Sequence, residues 1–336
     1  MKTILITGGA GFIGSNFILY FCKKYPNYFI INLDKLTYAS NLNNLKDCEK
    51  LLNYKFIKGD VCNKELISYL FEEFDIRGVI HFAAESHVDN SINNPEIFIK
   101  TNIEGTFNLL DNAYKHWMEN PGKSKPGYED CRFHYISTDE VYGALGETGS
   151  FSETTPYAPT NPYSVSKASA DFMVQAYHKT FGLNTTKSNC SNNYGPKQHQ
   201  EKLIPHIINQ ALNEQSITIY GTGKNVRDWL YVLDHCKAID LIYHTGKAGE
   251  SYNIGCNNEI DNITIVKTIC NILNELKPRK EGKYEDLIIF TKDRIGHDFR
   301  YAIDATKIRN ELGWKPEFGF EDSIKKTVQW YIRSDL

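Results

Sequence analysis

The sequence contains no C-x-x-C pair and no zinc-like ligand spacing; its eight cysteines (22, 48, 62, 131, 190, 236, 256 and 270) are scattered. A disulfide framework is not expected in so large a chain, so the thiols read as reduced, small and mostly buried, and no metal site is expected. No apolar run reaches the length of a membrane span. The N-terminus enters a strand at once, without the regions of a secretory signal. Excess charge is also missing: 38 Lys and Arg stand against 41 Asp and Glu, a formal net charge of −3. Such a surface has no general attraction for nucleic acid or anionic membrane, so any ligand phosphate must be held by local groups. Internal repeats and low-complexity tracts are absent too. Together these absences predict a cytosolic protein with no nucleic-acid, membrane or metal partner.

What is present is an ordinary globular composition, 41% hydrophobic and 24% charged over 336 residues, enough for one large α/β domain or two joined lobes. The first half alternates short apolar strands (2–7, 28–34, 54–60, 78–84, 132–138) with helical patterns (12–25, 98–117). That alternation predicts βαβ units and a parallel sheet buried on both faces. Past Lys167 the pattern is less regular: a helix near 162–181, another near 202–213, a strand at 216–220, a strand in "SYNIGC", a helix near 263–276, and a surface connection at 277–286. The expected fold is α/β, a Rossmann-type doubly wound parallel sheet with a smaller mixed C-terminal substrate-binding lobe. The expected division is 1–185, with a return segment near 222–248, for the nucleotide domain, and 186–336 for the interleaved second lobe.

"ITGGAGFIGS" follows the first strand and opens the first helix. Gly9, Gly11 and Gly14 satisfy G-x-G-x-x-G, and Gly8, Gly11 and Gly14 the G-x-x-G-x-x-G variant. Such a turn lets the backbone approach a pyrophosphate, with the helix N-terminus behind it. Asp34 ends the next strand 20 residues after Gly14, where a carboxylate accepts from ribose hydroxyls and repels a 2′-phosphate, favouring NAD over NADP. Lys35 beside it weakens that preference. Asp60 is placed to face the adenine, and small Ala83 and Ala84 would admit a cofactor at the carboxyl edge of the sheet.

In "ISTDEVYG" a strand-like run ends in Thr138, Asp139 and Glu140. Neighbours on a strand face opposite ways, so two adjacent acids serve one site only if the chain leaves the strand there. Downstream, Tyr163 and Lys167 lie one helical turn apart. A lysine ammonium there would lower the tyrosine's pKa toward a usable base and could hold the nicotinamide ribose, while Thr138 could share a substrate hydroxyl with Tyr163.

With "TGGAGFIGSNF", "HFAAESHVDNSI", "ISTDEVYG", "PYSVSKASAD", "NCSNNYGP", "EKLIPHII", "NVRDWLYVLDH" and "DRIGHDFRYAID", the chain resembles the extended short-chain dehydrogenase/reductase family. Within it, the likeness is to the nucleotide-sugar 4,6-dehydratases acting on dTDP-glucose. The resemblance implies a lyase with tightly bound NAD. Tyr163 takes the proton from the sugar O4 as hydride leaves C4, Glu140 removes the C5 proton, protonated Asp139 donates to the departing O6, and hydride returns to C6. It implies Phe12, Ile13, Thr37, Val61, Ser86, Thr101 and Asn193 as further cofactor contacts. Ser86, Thr138 and Asn192 would meet the sugar, while Lys202, Leu203 and Thr218 to Tyr220 would border the nucleoside. Arg227 would take the diphosphate, and Asn262 and His297 would complete the nucleotide pocket. It also implies a homodimer through two paired helices, and a place in making a deoxysugar such as rhamnose. A UDP-glucose dehydratase differs by one methyl on the base, worth only ~1–3 kcal/mol, and stays open. A 4-epimerase of the same fold has no use for the Asp139–Glu140 pair, and a non-catalytic NAD sensor none for Tyr163 and Lys167.

Overall fold

The computed structural model describes residues 1–293 and 299–334. In chain order the N-terminal part runs β1 (Lys2–Thr7), α1 (Phe12–Lys24), β2 (Tyr28–Asp34), β3 (Tyr54–Lys58), α2 (Lys64–Glu73), β4 (Ile76–His81), α3 (Val88–Asn93), α4 (Pro95–Phe98) and α5 (Gly105–Trp117). A π-helical segment, Ile99–Glu104, joins α4 to α5. A small antiparallel pair, β5 (Met118–Asn120) and β6 (Lys123–Ser124), precedes β7 (Arg132–Thr138), α6 (Pro162–Phe181) and β8 (Thr185–Cys190).

Seven strands form one parallel sheet in the order β3-β2-β1-β4-β7-β8-β12, where β12 is Ser251–Ile254. Period-two alternation feeds both faces: Ile4 and Ile6 of β1 enter one buried cluster with α1, while Leu5 enters another with α2, α5 and α6. The chain reverses direction of winding between β1 and β4, and this switch point opens a crevice at the strands' carboxyl ends. The predicted α/β doubly wound sheet is what the chain forms.

The later segments give β9 (Asn192–Tyr194), α7 (Leu203–Leu212), β10 (Ile217–Tyr220), β11 (Val226–Tyr231), α8 (Val232–Thr245), β13 (Glu259–Asp261), α9 (Asn262–Leu276), β14 (Ile288–Thr291), α10 (Thr306–Leu312) and α11 (Phe320–Arg333). Strands β13, β11 and β9 make a mixed three-stranded sheet, and β10 pairs with β14. α8 returns to pack on α1, and β12 then adds the sheet's last strand.

The strand β8 has no apolar run, which is why its pattern escapes a periodicity reading. Its sequence is Thr-Thr-Lys-Ser-Asn-Cys, yet all six residues are buried. Thr186 and Ser188 are met on one face by the two ring nitrogens of His134 on β7, at 2.9 and 3.2 Å. Lys187 and Asn189 turn to the face covered by α6, where Asp171 receives them. Buried polar groups that find partners are tolerated in a sheet interior.

Candidate active site

The glycine turn takes the form a dinucleotide needs. Gly8 has φ +73°, and a Cβ there would lie 2.6 Å from the Ala83 nitrogen. A Cβ on Gly14 would lie 2.4 Å from the Gly8 carbonyl oxygen. Helix α1 begins after Gly11 with no side-chain cap, so its first N–H groups face the crevice for an anion. Asp34 is 5% exposed; its carboxylate accepts from the Ala10 N–H (2.9 Å), the Leu36 N–H (2.8 Å) and the Ser40 hydroxyl (2.9 Å). It thus braces the turn as well as lining the cleft. Lys35 pairs with Asp60 at 2.8 Å. A cradle that any Cβ would fill, an uncapped helix start and a carboxylate at the end of β2 together fit a dinucleotide with a free ribose.

At the other end of the cleft the chain leaves β7 in a 3-10 turn, Asp139–Tyr142. Thr138 caps it, its hydroxyl accepting from the Glu140 N–H and donating to Asp139 Oδ1, both at 3.3 Å. Because the turn starts at once, Thr138, Asp139 and Glu140 all line the same cleft. Asp139 is 3% exposed, and its Oδ2 has no hydrogen-bond partner among the described residues. Burial, then the charges of Glu140 and Asp228, push its carboxyl up to about 8, so it is protonated at neutral pH.

Helix α6 is set by a capping box between Asn161 and Ser164, by Pro162 in its first turn, and by Gly182 in the left-handed region at its end. That start fixes Tyr163 and Lys167 over β7. Lys167 Nζ donates to the Ile136 carbonyl at 2.7 Å and sits 4.2 Å from the Tyr135 ring centre. Burial lowers its pKa to about 8, opposed by the Asp171 carboxylate. The expected lowering of the Tyr163 pKa is not what the chain alone produces. Burial, followed by the charge of Glu140, holds the phenol well above its ordinary value, with a hydrogen bond from Thr138 acting the other way. The ammonium's contacts are with a backbone carbonyl and Tyr135 instead.

The cleft brings together Gly8, Gly11, Phe12, Ile13 and Gly14 of the turn with Asp34, Lys35, Thr37, Asp60 and Val61. It adds Ala83, Ala84, Ser86 and Thr101, the five residues from Thr138 to Lys167 named above, and Asn192, Asn193 and Lys202. It does not reach Leu203 at the start of α7, Thr218 and Tyr220 on β10, Arg227 on β11, or Asn262 at the start of α9. Arg227 lies 4.6 Å from the Tyr301 ring centre and donates to the Val226 and Phe299 carbonyls. The Oδ1 of Asn262 is buried without a partner among the described residues. His297 lies outside the described residues.

Glu85, Cys190, Gln198, His199 and Glu201 also line the cleft and were not picked out by motif reading. Glu201 stands within 4 Å of both His87 and His199. Its signal was its place at the head of "EKLIPHII", directly before Lys202.

A family model described as GDP-mannose 4,6 dehydratase matches residues 5–327. The chain belongs to this family. It is 50% identical over 333 residues to the dTDP-glucose 4,6-dehydratase of Xanthomonas campestris pv. campestris (strain B100), covering 99% of this chain and 93% of that protein. Among solved structures, the dTDP-glucose 4,6-dehydratase of Bacillus anthracis in complex with NAD superposes with a TM-score of 0.87 at 45% identity, covering 100% of this chain and 98% of that one. The dTDP-glucose 4,6-dehydratase of Streptomyces venezuelae with NAD and TYD bound gives 0.88 at 38% identity, covering 99% and 98%. The family resemblance carried by the motifs is therefore borne out over nearly the whole length.

Proposed function

We propose that the chain is a lyase that dehydrates dTDP-glucose to dTDP-4-keto-6-deoxyglucose, with NAD held in the cleft. The observation that carries this reading is the pair Asp139 and Glu140, both facing the cleft beside Tyr163, with Asp139 protonated at neutral pH. An elimination needs a proton acceptor for C5–H and a proton donor for the departing oxygen, whereas an epimerase of the same fold, which only oxidises and re-reduces C4, has no use for the two carboxyls.

The glycine turn, Asp34 and the residues around Ala83 and Thr101 hold the cofactor, with Lys167 and Asn193 toward its nicotinamide end. NAD bound there would accept hydride from C4 in its oxidised form, return it to C6 in its reduced form, and in the oxidised form present a positive ring charge that favours the tyrosinate. Tyr163 Oη removes the O4 proton, with Thr138 sharing the hydroxyl and Lys167 offsetting the phenolate charge. The 4-ketone acidifies C5–H, and a Glu140 carboxylate oxygen takes that proton. Asp139 gives its proton to O6, which leaves as water. The net change at the sugar is loss of one water, with C4 left as a ketone and C6 as a methyl group.

For the substrate, Ser86, Thr138 and Asn192 contact the hexose, and Arg227 takes the diphosphate through its planar fork. Lys202, Leu203, Thr218 and Tyr220 border the nucleoside, and the Asn262 oxygen, without a partner among the described residues, offers an acceptor for the base. Ile99 before α5 and Val165 and Phe172 on α6 are exposed apolar residues on the two helical segments through which a second copy would pair, giving a homodimer. The product feeds deoxysugar formation, rhamnose among the candidates.

The test is mass spectrometry of the purified protein incubated with dTDP-glucose and no added NAD, beside a UDP-glucose control. A product lighter by one water supports the assignment, and the ratio of the two rates fixes the base preference. NAD bound with neither sugar dehydrated would overturn it.

A further inference from the structure

Behind the cleft, and outside the residues assigned so far, lies a buried charged cluster. Asp171 on α6 is 0% exposed and Lys187 on β8 is 3% exposed. Asp171 Oδ2 accepts from the Tyr157 hydroxyl at 2.5 Å, from Lys187 Nζ at 3.2 Å and from Asn189 Nδ2 at 3.4 Å. Lys187 Nζ also donates to the Tyr157 hydroxyl. A buried pair is costly to desolvate and is not by itself a source of stability.

Its connections lead to the catalytic turn. Asn189 Nδ2 also donates to the Thr138 carbonyl at 3.1 Å, gripping the last residue of β7. The Tyr157 ring meets the Tyr142 ring edge-on, centroids 5.2 Å apart, at the far end of the same turn. Between them the Ala158 N–H donates to the Val141 carbonyl at 3.1 Å. Gly143, with φ +92°, allows this closeness, since a Cβ there would lie 2.6 Å from the Ala158 oxygen. Asp171 is also one turn beyond Lys167, and is the main charge favouring that buried ammonium.

We propose that Tyr157, Asp171, Lys187 and Asn189 form a positioning network for the reaction assigned above, gripping both ends of the Asp139–Tyr142 turn and setting a carboxylate one helical turn beyond Lys167. None of the four touches the cleft, so they act through Thr138, Asp139, Glu140 and Lys167. The groups facing Lys167 are Asp171 on its own helix, Tyr135 on β7, Cys190 on β8 and His81 on β4.

The experiment compares wild type, Tyr157→Phe, Asp171→Asn, and Asp171→Asn combined with Lys187→Met. Readouts are Tm, KM, kcat, and the pH dependence of reduced-cofactor appearance in a single turnover, a step that does not use Asp139. Tyr157→Phe keeps its ring and removes one hydroxyl; it is expected to lose about tenfold or more in kcat with KM nearly unchanged, the mark of a misplaced reacting group. Asp171→Asn strands the Lys187 charge and lowers Tm, and the double variant restores Tm. In that double variant kcat stays low and the basic limb of the oxidation step lies at lower pH than in wild type. Wild-type kcat in Tyr157→Phe, or recovery of kcat and pH limb together with Tm in the double variant, overturns the inference. Because it rests on the dehydratase reading, wild type that does not dehydrate dTDP-glucose overturns both; active wild type with indifferent variants overturns this inference alone.

Discussion

Asp139 and Glu140 are consecutive in the chain, yet both line one cleft, because the strand ends at Thr138 and a 3-10 turn starts with Asp139. On a continuing strand they would point to opposite faces. The turn therefore converts sequence neighbours into an acid–base pair. Their proximity also separates their protonation states, since the charge of Glu140 adds to burial in keeping Asp139 neutral.

Replacing Glu140 with Gln removes the acceptor for the C5 proton and leaves Tyr163 and Lys167 intact. C4 oxidation should proceed and the reaction should stop there. Reduced cofactor is expected to accumulate on the enzyme, with kcat down by about 10²–10⁴-fold, the usual contribution of a general base. Absorbance of the reduced cofactor during a single turnover checks this. Full turnover would remove Glu140 from the role.

Asp139 should give the elimination a basic limb. Its carboxyl, pushed up to about 8, is active as the protonated form, so the rate of water loss should fall as pH rises through that value. Stability follows the same sign. The folded-state pKa is raised above the ordinary carboxylate value of about 4, so the stability contributed by the neutral form is full below about 4 and is lost as pH rises through about 8. In Asp139→Asn the group cannot ionise. The Tm difference between this variant and wild type should thus grow in the variant's favour across that window, while dehydration is lost. A difference independent of pH would show that Asp139 is ionised throughout.

Much of this site was legible because its chemistry is local in sequence. The glycine turn, the carboxylate 20 residues on, the Thr138–Glu140 triplet and Tyr163 with Lys167 each occupy one short stretch whose geometry follows from strand, turn or helix. What was not legible depends on pairs far apart in the chain. Strand β8 looks polar because His134 and Asp171, 52 and 16 residues from their partners, satisfy it only after folding. Tyr157 offered no motif, and its partners Asp171 and Lys187 become visible only across the sheet. The Tyr163 pKa was misjudged for the same reason: spacing showed the ammonium one turn away, but not the burial and the nearby Glu140 charge that hold the phenol up, nor that the ammonium donates to the Ile136 carbonyl.

Gly14→Ala tests the cofactor cradle. The new Cβ would lie 2.4 Å from the Gly8 carbonyl oxygen, a backbone atom that cannot swing aside. The turn must open, moving the N–H groups away from where a pyrophosphate would sit. The variant should purify with less than about a tenth of the wild-type NAD content, corresponding to about 1.4 kcal/mol or more of lost binding. Released nucleotide after denaturation, measured by chromatography, gives the number. Undiminished NAD would show that the cofactor does not use this turn.

Arg227→Lys separates substrate binding from chemistry. The guanidinium carbon lies over the Tyr301 ring, 4.6 Å from its centre, and the group is steadied by the carbonyls of Val226 and Phe299 at 2.8 and 3.2 Å. A planar guanidinium is the side chain that matches two oxygens of a diphosphate. A lysine keeps the charge but loses both the fork and the flat face. KM for dTDP-glucose should therefore rise about tenfold, or about 1.4 kcal/mol, while kcat and bound NAD stay near wild type. The separation matters because Arg227 lies outside the cleft that holds the acid–base pair. A fall in kcat at constant KM would tie Arg227 to the turn, since its own charge and that of its neighbour Asp228 both reach Asp139, and would leave the diphosphate to another group.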